Sequence, residues 1–321
     1  MNAFSYVTAQ TPESAVQLAG TDGRFLAGGM DLLGEMKEAI VSPKTLVNVK
    51  SLPGTTTVQT AGPTWTIGAG VTLASLAANP EILRTFPGLA EAALEVGSPQ
   101  IRNVATVGGN LAQHSRCWYY RHRDVQCRKK GGNTCFARAG ESKYHSLFTG
   151  NMCISPCVSN LAIALAALDA RIVLQRGAKP ETLTIAQLYA DAWRTPVAHN
   201  SLRPDDLIVR IELPVVTARR SAYVQIGEKG DFDWALVSCA ASATVSGSTL
   251  SSARIVLGAV APTPWQVDAA NASLEGKALT PALADAAADL LLGEARPFGG
   301  NGYKVPVAKA LIRRTLLKLV A

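Results

Sequence analysis

Apolar positions along the first hundred residues fall into short blocks, each closed by glycine or proline. Thr11-Pro12-Glu13 supplies an N-cap, a proline at the first helical position and an acid in the first turn, which predicts a helix through Ala15 and Leu18 that ends at Gly20. RFLAGGMDLLGEMK reads as a short apolar strand from Phe25, a double-glycine turn and an amphipathic helix from about Leu32. TLVNVK and WTIGAG have strand character. Thr72 is placed to cap the next helix, and PEILRTFPGLAEAALEVG continues as helix broken at Pro80 and Pro87. SNLAIALAALDARIVLQ predicts a buried helix running into a strand. From about Ala218 the pattern changes to alternating strands, YVQIGEK, WALVSCAASATVSG and SARIVLGAVAP, followed by helices around 282–292 and 305–319. This is a second unit of α+β type.

Composition narrows the class. A chain of 321 residues that is 48% hydrophobic and 17% charged can bury a large core and fill two domains, which excludes disorder. The opening MNAFSYVTAQTPESA has neither a basic nor an apolar leader region, and no stretch approaches the ~20 apolar residues of a membrane span. The expectation is a soluble chain, cytoplasmic by its own sequence, and periplasmic only if carried by an exported partner. The net charge of +7 does not point to nucleic acid, because no Lys/Arg run is interleaved with aromatics. Arg116 to Lys143 alone holds eight Lys/Arg against Asp124 and Glu141, so the excess is local. The basic run KALIRRTLLK near the C-terminus reads as a solvated helix face.

Three glycine-bearing turns are candidates for phosphate: AGGMD at 27–31, GAGVT at 68–72 and TVGGN at 106–110. None matches the Rossmann or P-loop pattern, and ordinary turn chemistry explains any one of them alone.

The same basic segment carries five of the six cysteines, spaced Cys117-x9-Cys127-x7-Cys135-x17-Cys153-x3-Cys157. Three readings are open. A disulfide framework suits small secreted domains better than a chain with a large core. Structural zinc usually shows paired CxxC knuckles, absent from this sequence. An iron–sulfur cluster fits the charge best: four thiolates on a [4Fe–4S] core leave net negative charge, which surrounding Arg and Lys would offset. Cys239, inside LVSCAAS, reads as core. His114, His122 and His145 flank the segment and are placed to tune a cluster, or stand as solvated loop residues. Trp118, Tyr119 and Tyr120 are placed to cover it, or to pack the segment down.

FSYVTAQTPESAVQLAG, FLAGGMDLLGEMK and GSPQIRNVATVGGNLA together resemble the FAD-binding (medium) subunits of the xanthine dehydrogenase and molybdenum hydroxylase family, and the likeness runs on through 160–169 and Tyr223 to Ser238. It implies an α+β chain: a two-lobed FAD-binding domain of the vanillyl-alcohol-oxidase (PCMH) type over 1–215, with an insert at about 114–157, then a CO-dehydrogenase-flavoprotein-like domain over 216–321. Carried over by position, Arg24, Phe25, Leu26, Ala27, Gly28, Gly29, Met30, Asp31 and Leu32 match the family's pyrophosphate loop, and Thr106, Gly109 and Asn110 its second flavin loop. Ile208 matches a position packing near the flavin, or is simply a core strand residue. Met30 stands where the family usually has Thr, Asn160 where it usually has Asp, and Gln225 where Lys is common. Loss of that Lys charge bears on any reaction with a nicotinamide nucleotide.

Most of the family lacks the insert. The 4-hydroxybenzoyl-CoA reductase and periplasmic aldehyde oxidoreductase branches carry a [4Fe–4S] insert, and the spacing is similar to the second, which implies Cys117, Cys127, Cys135 and Cys153 as ligands, with Cys157 the rival fourth. The implied function is the FAD and [4Fe–4S] electron-transfer subunit of a heterotrimer. A large molybdenum-cofactor subunit would oxidise an aldehyde or N-heterocycle, and a small subunit with two [2Fe–2S] clusters would pass electrons to FAD and an external acceptor. Two alternatives stand beside it: a benzoyl-CoA-reductase type with reversed electron flow, and a flavin-free scaffold whose insert holds a structural metal or disulfide. No residue pattern supports a hydrolytic triad or a paired-carboxylate site.

Overall fold

The computed structural model describes residues 1–230 and 232–321. The first lobe is a small parallel sheet, β1 (Ser5–Thr8), β2 (Gly23–Leu26) and β3 (Thr45–Asn48), in the order β1-β3-β2. The helix Pro12–Ala19 crosses between β1 and β2, as parallel pairing requires, and Thr11 and Ser14 close its N-terminus in a reciprocal capping box. A second sheet is antiparallel: β4 (Val58–Ala61), β5 (Thr64–Gly68), β6 (Arg171–Arg176), β7 (Lys179–Thr184) and β8 (Leu207–Pro214), ordered β4-β5-β8-β6-β7. Short helices at Leu73–Ala78, Pro80–Thr85 and Pro87–Leu94 follow β5, started by Thr72, Asn79 and the two prolines.

The third sheet, β9 (Arg219–Ile226), β10 (Val237–Ser246), β11 (Thr249–Gly258) and β12 (Lys277–Ala278), is an antiparallel meander. Its two faces are both buried, which explains the unbroken small apolar run of β10. Cys239, Ala241 and Ala243 face the helices Pro281–Leu292 and Lys304–Lys318, while Ala240 and Val256 join the core of the first domain. The helix Asn160–Ala167, apolar all round, lies between the two. Gly258 lets β11 approach it: a Cβ there would meet Ile163 at 2.6 Å. Cys239 is fully buried, as expected of a core thiol.

One expectation needs correction. β10 begins at Val237, not at Trp234, which stays 48% exposed outside the strand because Asp233 caps the preceding turn by accepting from the N–H groups of Glu228 and Lys229. The KALIRRTLLK segment presents its basic face to solvent, with Arg313, Arg314 and Lys318 exposed, while Leu311, Ile312, Thr315 and Leu316 on the other face are buried.

The last helix starts on Lys304, which is fully buried and donates through Nζ to the carbonyls of Ala259 (2.8 Å) and Tyr144 (3.1 Å). Burial pushes its ammonium down to about 7. Below that value both folded and unfolded chains hold the proton, and between 7 and the ordinary lysine range only the unfolded chain does. Stability should therefore rise with pH across that window, by about 1.4 kcal/mol per unit relative to Lys304→Met. Urea midpoints of both proteins at pH 7 and 9.5 check this, and a difference that does not move with pH would exclude it.

Candidate functional site

β2 delivers the chain into the turn Ala27–Asp31, and the helix Leu32–Lys37 carries it away. Among the described residues, the backbone N–H groups of Gly28, Gly29, Met30, Asp31 and Leu32 donate to no acceptor. Met30, 48% exposed, stands at the lip of this open turn. A row of free N–H groups suits the oxygens of a phosphate or pyrophosphate, and it needs nothing from the Met30 side chain.

The turn Thr106–Asn110 is built differently, because most of its donors are used inside the protein. Gly109 N–H donates to Thr106 Oγ1 (3.2 Å), Val107 N–H to Val71 O (2.9 Å) and Gly108 N–H to Ala69 O (2.8 Å). It braces the first turn instead of repeating it: a Cβ on Gly28 would lie 2.3 Å from the carbonyl oxygen of Val104. The third turn sits behind the second: Thr72 pairs with Thr106, and a Cβ on Gly108 would lie 2.9 Å from Ala69 Cβ. The three glycine turns that look independent in the sequence are thus one contiguous structure, with glycine required where backbones touch.

From the brace a line of amides leads to a cavity. Asn110 Oδ1 accepts from Ser159 Oγ (2.7 Å), and its Nδ2 has no acceptor among the described residues. Asn160 Nδ2 donates to Gln225 Oε1 (2.9 Å), which also accepts from Tyr223 Oη (3.0 Å). The two positions expected to depart from the usual charged residues therefore pair with each other as neutral amides. Ser159 and Asn160 line a cavity of about 310 Å³ between the insert, the helix Asn160–Ala167 and the third sheet. Its size is at the low end for an organic ligand, roughly 300–1,000 Å³. Ile163, Val158 and Trp234 give it apolar walls, and the Arg116 guanidinium lies 4.8 Å from the Trp234 ring centroid.

Not every residue expected near a flavin lines this cavity. Arg24, Phe25 and Leu26 lie on β2 before the open turn, and Arg24 donates to Gly23 O (2.7 Å). Ile208 is buried in the first domain's core and does not line the cavity. Asp31 keeps its N–H in the open turn but turns its carboxylate to the insert.

The insert has little regular structure beyond single turns at Trp118–Arg121, Arg128–Lys130 and Phe136–Ala139. All six cysteines are free. Cys117 feels the charge of Cys153 and Cys127, and Cys153 that of Cys135 and Cys127, so these four thiols are gathered. Burial, first of all, pushes Cys117 up to about 12 and raises Cys153. Among the described residues no three of the sulfurs lie within 4.8 Å of one another, whereas zinc bonds of about 2.3 Å would set them roughly 3.8 Å apart. Four gathered thiols are the donor type and number that a four-iron core takes. Cys157 is buried in the first domain's core, where burial pushes its thiol up to about 11, beside Tyr189; it also lines the cavity with Cys117 and acts on Lys129 together with the other thiols.

The basic residues of the insert also hold its backbone. Arg128, Lys130 and Arg138 donate to the carbonyls of Asn133, His122 and of Asn151 and Met152, holding a loop that lacks a ladder. Lys129 alone is buried among the thiols; burial lowers its ammonium and Cys153, Cys127 and Cys117 act to raise it, while Nζ donates to Ala198 O (2.6 Å). His145 Nε2 lies 3.2 Å from Cys117 Sγ, and burial brings its imidazole down to about 4, so it is neutral. His122 is exposed, and Tyr120 is buried with its hydroxyl on Glu35. Lys129, Glu35 and His199 escape sequence reading because the hydrogen bonds that fix them span 69, 85 and 84 positions, and only the RKK run hinted at the first.

A family model described as the FAD binding domain in molybdopterin dehydrogenase matches residues 2–216, and one for the CO dehydrogenase flavoprotein C-terminal domain matches 221–319. The chain is 34% identical over 326 residues to the aldehyde oxidoreductase FAD-binding subunit PaoB of Escherichia coli, covering 100% of this chain and 98% of that one. It is 27% identical to the carbon monoxide dehydrogenase medium chain of Hydrogenophaga pseudoflava, over 98% of this chain and 96% of the other. Among solved structures, carbon monoxide dehydrogenase from Hydrogenophaga pseudoflava superposes with a TM-score of 0.76 at 28% identity, covering 98% and 96% of the two chains. Quinoline 2-oxidoreductase from Pseudomonas putida shares the fold at 23% identity, with a TM-score of 0.77 over 99% and 97%.

Proposed function

The chain belongs to the family of FAD-binding subunits of the molybdenum hydroxylases, and we propose that it is the FAD and [4Fe–4S] electron-transfer subunit of an enzyme oxidising an aldehyde or N-heterocycle. One observation carries the reading: Cys117 and His145 of the four-thiol insert line the same cavity as Asn160, and Ser159 in that lining is hydrogen-bonded to Asn110 of the second glycine turn. FAD, when bound, takes up two electrons and releases them singly or as a pair, whereas a [4Fe–4S] cluster moves one at a time. In this reading the N–H groups from Gly28 to Leu32 hold the pyrophosphate, and the free Nδ2 of Asn110 and the Asn160–Gln225 pair meet the flavin end. Trp234 and Ile163 exclude water from the ring. Cys117, Cys127, Cys135 and Cys153 supply four thiolates, Lys129 offsets part of their charge, and His145 is placed to donate to Cys117 Sγ. The relatives are named as medium chains, which supports a heterotrimer with a large molybdenum-cofactor subunit and a small subunit carrying two [2Fe–2S] clusters. The chain would then deliver electrons withdrawn at molybdenum, and passed through those clusters, to an external acceptor. Among the described residues no helix is long and apolar enough to cross a membrane.

The test is iron, acid-labile sulfide and FAD content of anaerobically purified protein, with EPR after dithionite reduction. About four irons and four sulfides per flavin are expected; flavin without iron would refute the cluster. Cys157→Ala separates the rival ligand. It should keep the full iron content and lose only about 1 kcal/mol of stability from the deleted buried sulfur, whereas iron loss in this variant would make Cys157 a ligand.

A further inference from the structure

The open turn and the insert are joined by a partly buried polar network that neither a flavin nor a cluster requires. Asp31 accepts from Arg121 Nη2 (2.5 Å) and the His114 N–H (2.6 Å), and Arg116 Nη1 lies 3.0 Å away. One turn on, buried Glu35 accepts from Tyr120 Oη (2.7 Å) and contacts His114 Nδ1 (3.0 Å). Burial would raise the Glu35 carboxyl, but His114, Tyr120 and Arg121 outweigh it and hold it below the usual range. Asp31, Glu35 and His114 bring three donor atoms within 4.8 Å, yet the guanidinium groups of Arg116 and Arg121 already balance the two carboxylates, so this is an ion-pair network and not a metal site.

The network continues to the thiols. The His114 ring stacks on His199 (centroids 4.0 Å, interplanar angle 7°), and His199 Nδ1 accepts from Ser115 N–H (3.1 Å). Ala198, next in the chain, gives its carbonyl to Lys129, the ammonium buried among the cysteines. A continuous set of contacts thus runs from the N–H turn, through Asp31 and Glu35, to the cluster pocket. Arg121 is central to it, since Nε also holds Ser115 O (2.7 Å).

We propose that this network couples the two sites, with Arg121 as a positioning residue: the ordered insert holds the open turn in its ligand-ready shape, and FAD in the turn orders the insert. The proposal rests on the reading of the turn as the FAD site and of the thiols as a cluster site. Its direction is set by what each half lacks. The N–H groups of the turn make no hydrogen bonds that hold them in a row, the insert has no ladder, and Asp31 and Glu35 are held by His114, Tyr120 and Arg121 of the insert, so the shape of each half bears on the other. Linkage makes the effect reciprocal, so that FAD affinity rises with cluster loading by the factor by which FAD stabilises the loaded insert.

The experiment measures hydrogen–deuterium exchange of residues 114–157 in the full chain with and without saturating FAD, and FAD affinity of iron-loaded and iron-depleted protein, with iron and sulfide assayed in each sample. FAD should slow exchange at 114–121 about fivefold or more, and iron loading should tighten FAD by a similar factor. In Arg121→Gln both ratios should fall toward one, and Arg121→Lys, which keeps the charge, should restore part of them; a merely stabilising residue would lower stability and leave the ratios alone. Should Arg121→Gln fail to fold, Tyr120→Phe removes only the phenol on Glu35 and should shrink both ratios. Insert exchange unchanged by FAD, at a concentration shown by titration to saturate, overturns the coupling. Iron-free protein from anaerobic purification overturns the cluster reading instead, and the exchange arm with FAD still decides the coupling.

Discussion

Cys135→Ser should fall from about four irons per flavin to less than about one, and lose the EPR signal of the dithionite-reduced protein, while still taking up FAD supplied in excess. Cys135 is the informative ligand to remove. Cys127 and Cys153 are 5% and 6% exposed, so replacing either leaves a buried hydroxyl and a gap that unfold the insert for reasons unrelated to metal. Cys135 is only half buried, at the start of the single turn Phe136–Ala139, and its sulfur can become oxygen with little repacking. Iron lost there is iron lost to missing ligation. Three thiols cannot hold a four-iron core closed to solvent, and the remaining site should bleed iron during purification. Full iron content in Cys135→Ser would remove this residue from the ligand set and, with it, the spacing argument for the other three.

Local chemistry was legible in the sequence, and most of what joins distant segments was not. The caps at Thr11 and Thr72, the breaks at Pro80 and Pro87 and the turn before Leu32 each depend on residues within four positions, and all are present. β7, KPETLT, has no apolar alternation because it is an edge strand whose only neighbour is β6, so period-two patterning has nothing to report. The helix Ile185–Arg194 went unread for a different reason, its cap being the last residue of that same polar strand. At the site, glycine spacing pointed to the three turns but not to their contact, since Gly28 meets Val104 across 76 positions. The basic excess beside the cysteines has a second use that the sequence does not reveal: in a loop without a ladder, Arg128, Lys130 and Arg138 donate to backbone carbonyls. Asp31 shows the limit most clearly. Its place in a glycine turn suggests a ligand contact, and only the fold reveals that Arg121, 90 residues on, takes its carboxylate.

Gly28→Ala should weaken FAD binding by about a hundredfold, which is roughly 3 kcal/mol, and destabilise the protein by roughly 1–3 kcal/mol. The obstacle is steric and not conformational, because the φ of Gly28 is not among the positive ones. An added Cβ would sit 2.3 Å from Val104 O, 2.9 Å from Val104 C and 3.0 Å from Ala105 Cα, all backbone atoms that no rotamer change can move. Relief of about an ångström must come from shifting one turn away from the other. The second turn is pinned by Val107, Gly108 and Gly109, whose N–H groups are all engaged, so the first turn yields, and with it the row of free N–H groups. Gly34→Ala is the matched control: it lies one turn further on in the helix Leu32–Lys37, with nothing within 4 Å of a new Cβ. That substitution should gain a few tenths to about 1 kcal/mol of stability from helix propensity and leave FAD affinity unchanged. Flavin fluorescence titration and thermal denaturation of the two variants decide the point. Equal affinities would mean that the N–H row does not hold the pyrophosphate, and the dinucleotide would then have to be anchored from the cavity end alone.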